Sequence, residues 1–344
     1  MRALVLETTR NIAVRDIELS QELGPRDVRI RPLRVGICGS DIHYYLHGRI
    51  GDFVVKEPMV LGHEASGVVL EIGSEVTSLN PGDRVCMEPG IPNVNSREYL
   101  TGMYNLDPDV QFWATPPVHG CLCESVVHPE QFTFRLPDHV SLEEGALVEP
   151  LAIGVHSAKK ARIVPGDTAL VLGAGTIGIV IALAAVASGC STVYISDVKQ
   201  DKLEFLQQHY PNLISINSKK HDLSAYIQER TVNGVDVVFE ASGSAQAIAS
   251  MTQYVRPGGR IVLVGMPNDP VAVDIVSLEA KEIDISSVFR YAHVFDRAVN
   301  YIGSGQIQVK PLHTHTFSFG EAEKAVEFAA SMPPDAIKII INME

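Results

Sequence analysis

Thr168–Ser196 reads TALVLGAGTIGIVIALAAVASGCSTVYIS, 29 residues without one charged side chain. About 20 apolar residues can span a bilayer, so the stretch is either a membrane anchor or a buried core. Its internal order decides. TALVL is short and rich in β-branched and leucine side chains. Gly173, Gly175 and Gly178 follow at G-x-G-x-x-G spacing, then an Ala/Leu/Ile run to Gly189, then TVYIS and Asp197. That is strand, turn, helix, strand, each too short to cross a membrane. A glycine turn inside a bilayer would also leave backbone groups unpaired. A strand buried on both faces of a parallel sheet reads as one continuous apolar run. The missing charge therefore marks the centre of a doubly wound α/β sheet, and no membrane association is expected.

In such a turn Gly173 permits the bend and Gly175 lets backbone approach a pyrophosphate. Gly178 lets the helix pack closely on the strand, and the helix N-terminus near Thr176 offers unpaired N–H groups to phosphates. Asp197 lies about 20 residues further on, where an acid takes ribose hydroxyls and repels a 2′-phosphate. This favours NAD over NADP, although Lys199 and Lys202 lie close by.

The alternation continues outward. KQDKLEFLQQH, DLSAYIQERT and AQAIASMTQYV read as helices; NLISIN, GVDVVFEAS and GRIVLVG read as strands, the last after a Pro257-Gly258-Gly259 turn. A short helix in SLEAKEI and a strand in DISSVF complete six strands, the number a dinucleotide-binding fold needs. Ligands sit beyond the carboxyl ends of such strands, which marks Ala241–Gly243, Val264–Met266 (with Gly265) and Val288–Arg290 (with Phe289). The first 150 residues differ: short β-rich segments split by Gly, Pro and Asp turns suggest a small antiparallel, barrel-like domain. EEGALVEPLAIGVHSAKKA reads as a linker helix bent or interrupted at Pro150. After about Tyr291 come a helical HVFDRAVNYIG, a helical FGEAEKAVEFAAS and a strand AIKIIINM, expected to pack back on the first domain. The domains are thus 1–150 with 291–344, and 151–290.

Composition sets limits. A net charge of −13 disfavours nucleic acid and anionic membranes as partners. Five cysteines are few and odd in number, against a disulfide framework. MRALVLETTR lacks the shape of a signal peptide, so the cytoplasm is the expected compartment.

Candidate metal ligands lie in GICGSDIHYY (Cys38, Ser40, Asp41, His43, Tyr44), VLGHEASG (His63, Glu64) and LVEPLA (Glu149). Zinc accepts sulfur, imidazole nitrogen and carboxylate oxygen, and catalytic sites keep one position open. Taken singly, Cys38 reads equally as a buried small hydrophobe, His63 as a structural histidine, and Glu64 as a solvated carboxylate. Their spacing leaves the metal open. Arg290 is either a hydroxyl-binding group or a surface ion pair.

GHEASGVVLEIGSEV resembles the G-H-E-x-x-G-x(5)-G-x(2)-V signature of the zinc-containing medium-chain alcohol dehydrogenases. CGSD at Cys38–Asp41, VLGAGTIG and the domain order agree with it. GRIGDFVVKEPMVLGHEASG, YNLDPDVQFWATPP and LVEPLAIGVHS are similar to the polyol branch, which includes sorbitol and xylitol dehydrogenases. The resemblance covers nearly the whole chain. It implies a GroES-like β-barrel catalytic domain beside a Rossmann domain, with Cys38, His63 and Glu64 as zinc ligands. Glu149 would be a ligand or hold the metal's water, and Ser40 and His43 would relay the proton. It implies Tyr44, Phe53, Phe112, Thr115, Arg290 and Tyr291 around the polyol, and Ile177, Asp197 and Lys202 on NAD. Two anionic ligands neutralise a dication, so an ionised Glu149 would leave the site anionic. The implied reaction is hydride transfer from a polyol to NAD, giving a 2-ketose, in a homotetramer. Other zinc alcohol or threonine-type dehydrogenases, and a non-catalytic NAD-binding sensor, are the alternatives.

Many relatives hold a second, structural zinc on four cysteines after E-P-G. Here Asn93, Ser96, Tyr99 and Asp107 stand at those positions, so one zinc per chain is expected and the lobe must be held by packing and hydrogen bonds. Cys121 and Cys123 are expected to be strand residues, and His313 and His315 part of an exposed tail strand.

Overall fold

In the computed structural model the uncharged stretch forms the middle of a six-stranded parallel sheet. From edge to edge the strands are Ile214–Asn217, Thr192–Asp197, Thr168–Leu172, Val235–Glu240, Val255–Leu263 and Asp284–Ser287. Ala169, Leu170 and Val171 are fully buried, as a strand covered on both faces must be. The helix Thr176–Ala187 is buried from Gly178 through Ala185, which is why it carries no polar face. Residues 1–267 and 269–344 are described. They divide into two compact units, Met1–Glu149 with Phe295–Glu344, and Pro150–Val294.

Two expectations about breaks in this unit need correction. Pro257-Gly258-Gly259 is not a turn ahead of a strand but lies inside Val255–Leu263. Val235 faces Val255 while Val237 faces Arg260, so these residues leave the register as a bulge. Proline has no N–H for the ladder, and Gly258 takes φ +67° there. The linker helix breaks at Leu147 rather than Pro150, giving Leu142–Ala146 and Val148–Ala161. Pro150 falls in the first turn of the second helix, where its missing N–H costs nothing.

The other unit is built on a seven-stranded sheet. Its path runs Thr133–Arg135, Arg84–Met87, Glu64–Ile72, Asp27–Gly36, Lys338–Asn342 and His313–Ser318, with Val126–Pro129 also paired to Asp27–Gly36. The C-terminal strand thus sits beside the long central strand, not at the periphery. His313 and His315 are half-buried in a strand parallel to Lys338–Asn342, not on an exposed tail. Cys121 and Cys123 are fully buried but lie outside the named strands, in a segment hydrogen-bonded to Leu4, Leu61 and Gly62. Burial pushes the Cys123 thiol up to about 12. Among the described residues no helix is long and apolar enough to cross a membrane.

Candidate functional site

Cys38 precedes a helix, Gly39–His47, that the sequence reading did not assign. Asp41, in its first turn, folds back so that Oδ2 accepts the Cys38 N–H at 2.9 Å. Its Oδ1 accepts the Gly62 N–H at 3.3 Å and lies 3.8 Å from His63 Nδ1. One buried carboxylate therefore ties the Cys38 turn to the His63 turn. Burial raises its pKa against the pull of His63.

Glu64 opens the strand Glu64–Ile72 and faces Gly36 across the ladder. A Cβ on Gly36 would stand 2.2 Å from Glu64 Oε2, so the absent side chain gives the carboxylate its room. On the other side of that central strand, Lys338 opens Lys338–Asn342. Its Nζ lies 2.7 Å from both Glu64 oxygens and 3.1 Å from the Ile37 carbonyl. Burial alone would lower the Lys338 ammonium; the Glu64 carboxylate, its hydrogen bonds and the charges of Cys38 and Glu149 together raise it. Lys338 was not singled out from the sequence. Its one signal is a lone cation opening the apolar strand KIIIN.

Ligand atoms of Cys38, His63 and Glu64 all lie within 4.8 Å of one another, the one such cluster among the described residues. Burial would depress the His63 imidazole, but the charges of Cys38 and Asp41 overcome it and raise it to about 10. His63 Nδ1 is buried with no hydrogen-bond partner. A soft sulfur, an imidazole and a carboxylate, clustered in a field that favours positive charge, fit a zinc ion. Glu149 is buried and its charge is felt at His63, but it is not a member of the 4.8 Å cluster. Ser40 and His43 are half-buried on the helix after Cys38, and Tyr44 is buried there. The Phe112 ring stands 5.8 Å from that of His63; Thr115 is half-buried and Phe53 exposed.

In the other unit the glycine turn has the shape its spacing implies. Gly173 takes φ +106°. A Cβ on Gly178 would meet the Gly173 carbonyl at 1.8 Å, whereas one on Gly175 would meet only Lys202 Nζ, at 3.8 Å. Gly175 thus opens on an empty cradle with the Lys202 ammonium at its rim, which fits a diphosphate at a helix N-terminus. Burial lowers the Lys202 pKa against the pull of Asp197. Asp197 accepts the Ala174 and Lys199 N–H groups, each at 2.8 Å. Ile177, Val264, Gly265 and Val288 are half-buried, and Met266 and Phe289 exposed. Arg290 takes φ +54° with its guanidinium 4.8 Å from the Phe289 ring, and Tyr291 is buried. Glu240 went unnoticed in the sequence. Fully buried, its carboxylate accepts the Ser242 and Gly243 N–H groups, and its carbonyl accepts those of Val264 and Gly265. It holds two of the loops at the strand ends together. An acid closing the apolar VDVVFE was the available sign.

The four lobe positions pair among themselves. Asp107 accepts the Asn93 N–H, and Ser96 Oγ accepts the Tyr99 N–H at 3.0 Å. Tyr104 donates to Glu88 at 2.7 Å, fastening the lobe to the sheet.

Residues 24–138 match the family model described as alcohol dehydrogenase GroES-like domain, and 176–304 the one described as zinc-binding dehydrogenase. The chain is 53% identical to a D-xylulose reductase of Morganella morganii, over 96% of this chain and 98% of that one. It is 41% identical to a sorbitol dehydrogenase of Arabidopsis thaliana, over 94% and 91%. The crystal structure of an Escherichia coli oxidoreductase/dehydrogenase of unknown specificity superposes with a TM-score of 0.94 at 34% identity, covering 100% of this chain and 99% of that one. The chain belongs to the zinc-containing medium-chain alcohol dehydrogenases. Within them it falls in the polyol dehydrogenase branch, and the expected fold class, a GroES-like domain with a Rossmann sheet, holds.

Proposed function

We propose that this protein interconverts a polyol of the xylitol or sorbitol type and its 2-ketose with NAD, using one zinc per chain held by Cys38, His63 and Glu64. The observation that carries the reading is the meeting of thiol, imidazole and carboxylate within 4.8 Å, in a chain so similar to a D-xylulose reductase. Bound zinc supplies a Lewis acid for the reacting hydroxyl. The chain's own groups do the rest. The Ser40 hydroxyl passes the alcohol proton towards His43. Burial, with His47 alongside, holds the His43 imidazole below its ordinary pKa, so a ring nitrogen is open to accept it. Glu149, buried and with its charge felt at His63, would complete the metal's ligand set or hold its water. Tyr44, Phe53, Phe112 and Thr115 shape the polyol's place, as the family resemblance implies. A site built to pair a polyol's hydroxyls rejects analogues that lack them.

Asp197 supports NAD over NADP, because a carboxylate at the ribose repels a 2′-phosphate. A lobe whose four positions carry no thiol and are tied by hydrogen bonds supports a single zinc. All five cysteines are free, in keeping with the cytoplasm, and a homotetramer is the proposed assembly.

Initial rates on xylitol, sorbitol, arabitol, galactitol, threonine and ethanol with both cofactors, together with zinc per chain, test the reading. About one zinc, and rates falling steeply from polyols to ethanol with NAD, are expected. A preference for threonine or ethanol would point to another dehydrogenase of the family. Absence of both zinc and NADH formation would leave a non-catalytic NAD-binding protein.

A further inference from the structure

We propose that Lys338 is a positioning residue for the metal centre: it holds the buried Glu64 carboxylate correctly aimed before the metal arrives, and anchors the turn that delivers Cys38. The inference rests on the zinc reading above.

The geometry is a three-strand relay. Gly36 and Glu64 are opposite one another, and Gly36 is also opposite Ile340, two residues beyond Lys338. The lysine reaches across the central strand where Gly36 has no side chain. A Cβ there would sit 2.2 Å from Glu64 Oε2. All three ammonium hydrogens are accounted for: two on the Glu64 oxygens at 2.7 Å, one on the Ile37 carbonyl at 3.1 Å. Ile37 directly precedes Cys38, and its N–H is itself held by the Ile339 carbonyl at 3.0 Å. Lys338 and its neighbour therefore fix two of the three ligand-bearing segments from the far end of the chain.

The chemistry needs such a group. Glu64 is 1% exposed, and a buried carboxylate without a partner is expelled or neutralised. Each carboxylate oxygen has two lone-pair sites. A lysine using one site on each oxygen leaves the others for a metal. Lys338 also changes the charge count. A dication, a thiolate and the Glu64 carboxylate sum to zero; the ammonium adds one positive charge.

Groups that orient metal ligands cost about 10- to 100-fold in metal affinity when removed. Zinc affinity measured by chelator competition on the full chain, well below the unfolding temperature of each variant, is the test. Lys338→Met is expected to weaken zinc by that factor, and Lys338→Arg to recover most of it. In a Glu64→Gln background the same Lys338→Met change should cost much less zinc affinity, because only the contact with the Ile37 carbonyl is then left to lose. That double variant carries no unpaired buried charge, so it tests the idea even where Lys338→Met folds poorly. Wild-type affinity in Lys338→Met, or an equal loss in both backgrounds, overturns the proposal. Failure of the unaltered protein to bind zinc would instead overturn the zinc reading itself.

Discussion

Glu88 shows what a single buried carboxyl does to stability. It has the Tyr104 hydroxyl at 2.7 Å, and burial pushes its pKa up to about 8 from an ordinary 4.5, against the pull of that hydrogen bond. Between those values the folded chain keeps a proton that the unfolded chain has released. Stability therefore falls as pH rises through that window and levels off above it. The loss is a few kcal/mol at most, at about 1.4 kcal/mol for each pH step between the two values. Glu88→Gln cannot ionise and keeps an acceptor for Tyr104. Its thermal midpoint should gain on the wild type steadily from about pH 5 to about pH 8. Parallel melting curves across that range would show that Glu88 is charged in the folded protein.

At the level of the element, the glycine turn separates packing from binding. Gly178→Ala drives a methyl to 1.8 Å from the Gly173 carbonyl, so little soluble protein is expected, or a loss of several kcal/mol. Gly175 has an ordinary φ of −79° and open space around it. Gly175→Ala should melt within a degree or two of the wild type when no cofactor is present, yet raise the KM for NAD by about tenfold or more, because backbone must approach the pyrophosphate there. If calorimetry and kinetics showed normal stability and a normal KM together, the dinucleotide would have to bind away from this turn.

On the scale of the whole molecule, the unexplained feature is surface apolarity. Val94, Leu100, Met103 and Leu106 are between 48% and 73% exposed within one short lobe. Such clusters mark association surfaces more often than isolated exposed residues do. Sedimentation should find about four chains together. Leu100→Glu with Met103→Glu should yield smaller species that retain zinc, since neither residue touches the metal cluster. A particle of unchanged mass would place the contacts elsewhere.

Much of this protein was written along the chain. A strand buried on both faces has to be apolar throughout, and three glycines at fixed spacing have to follow it, so Thr168–Ser196 declared the doubly wound sheet. The ligand candidates were also visible, because zinc tolerates few side-chain types and GHE and CGSD carry them. Breaks were less legible: Leu147, not Pro150, ends a helix, because proline is harmless in a first turn. What the sequence did not determine is which distant residues meet. Cys38 comes from one segment and the adjacent His63 and Glu64 from another, and nothing in the sequence brings the two segments within 4.8 Å. Lys338 stands 274 positions from the carboxylate it holds. Strand pairing alone, through a glycine that leaves space, joins them. Side-chain type is a local property, but the charge and geometry of a buried site belong to the sheet that assembles it.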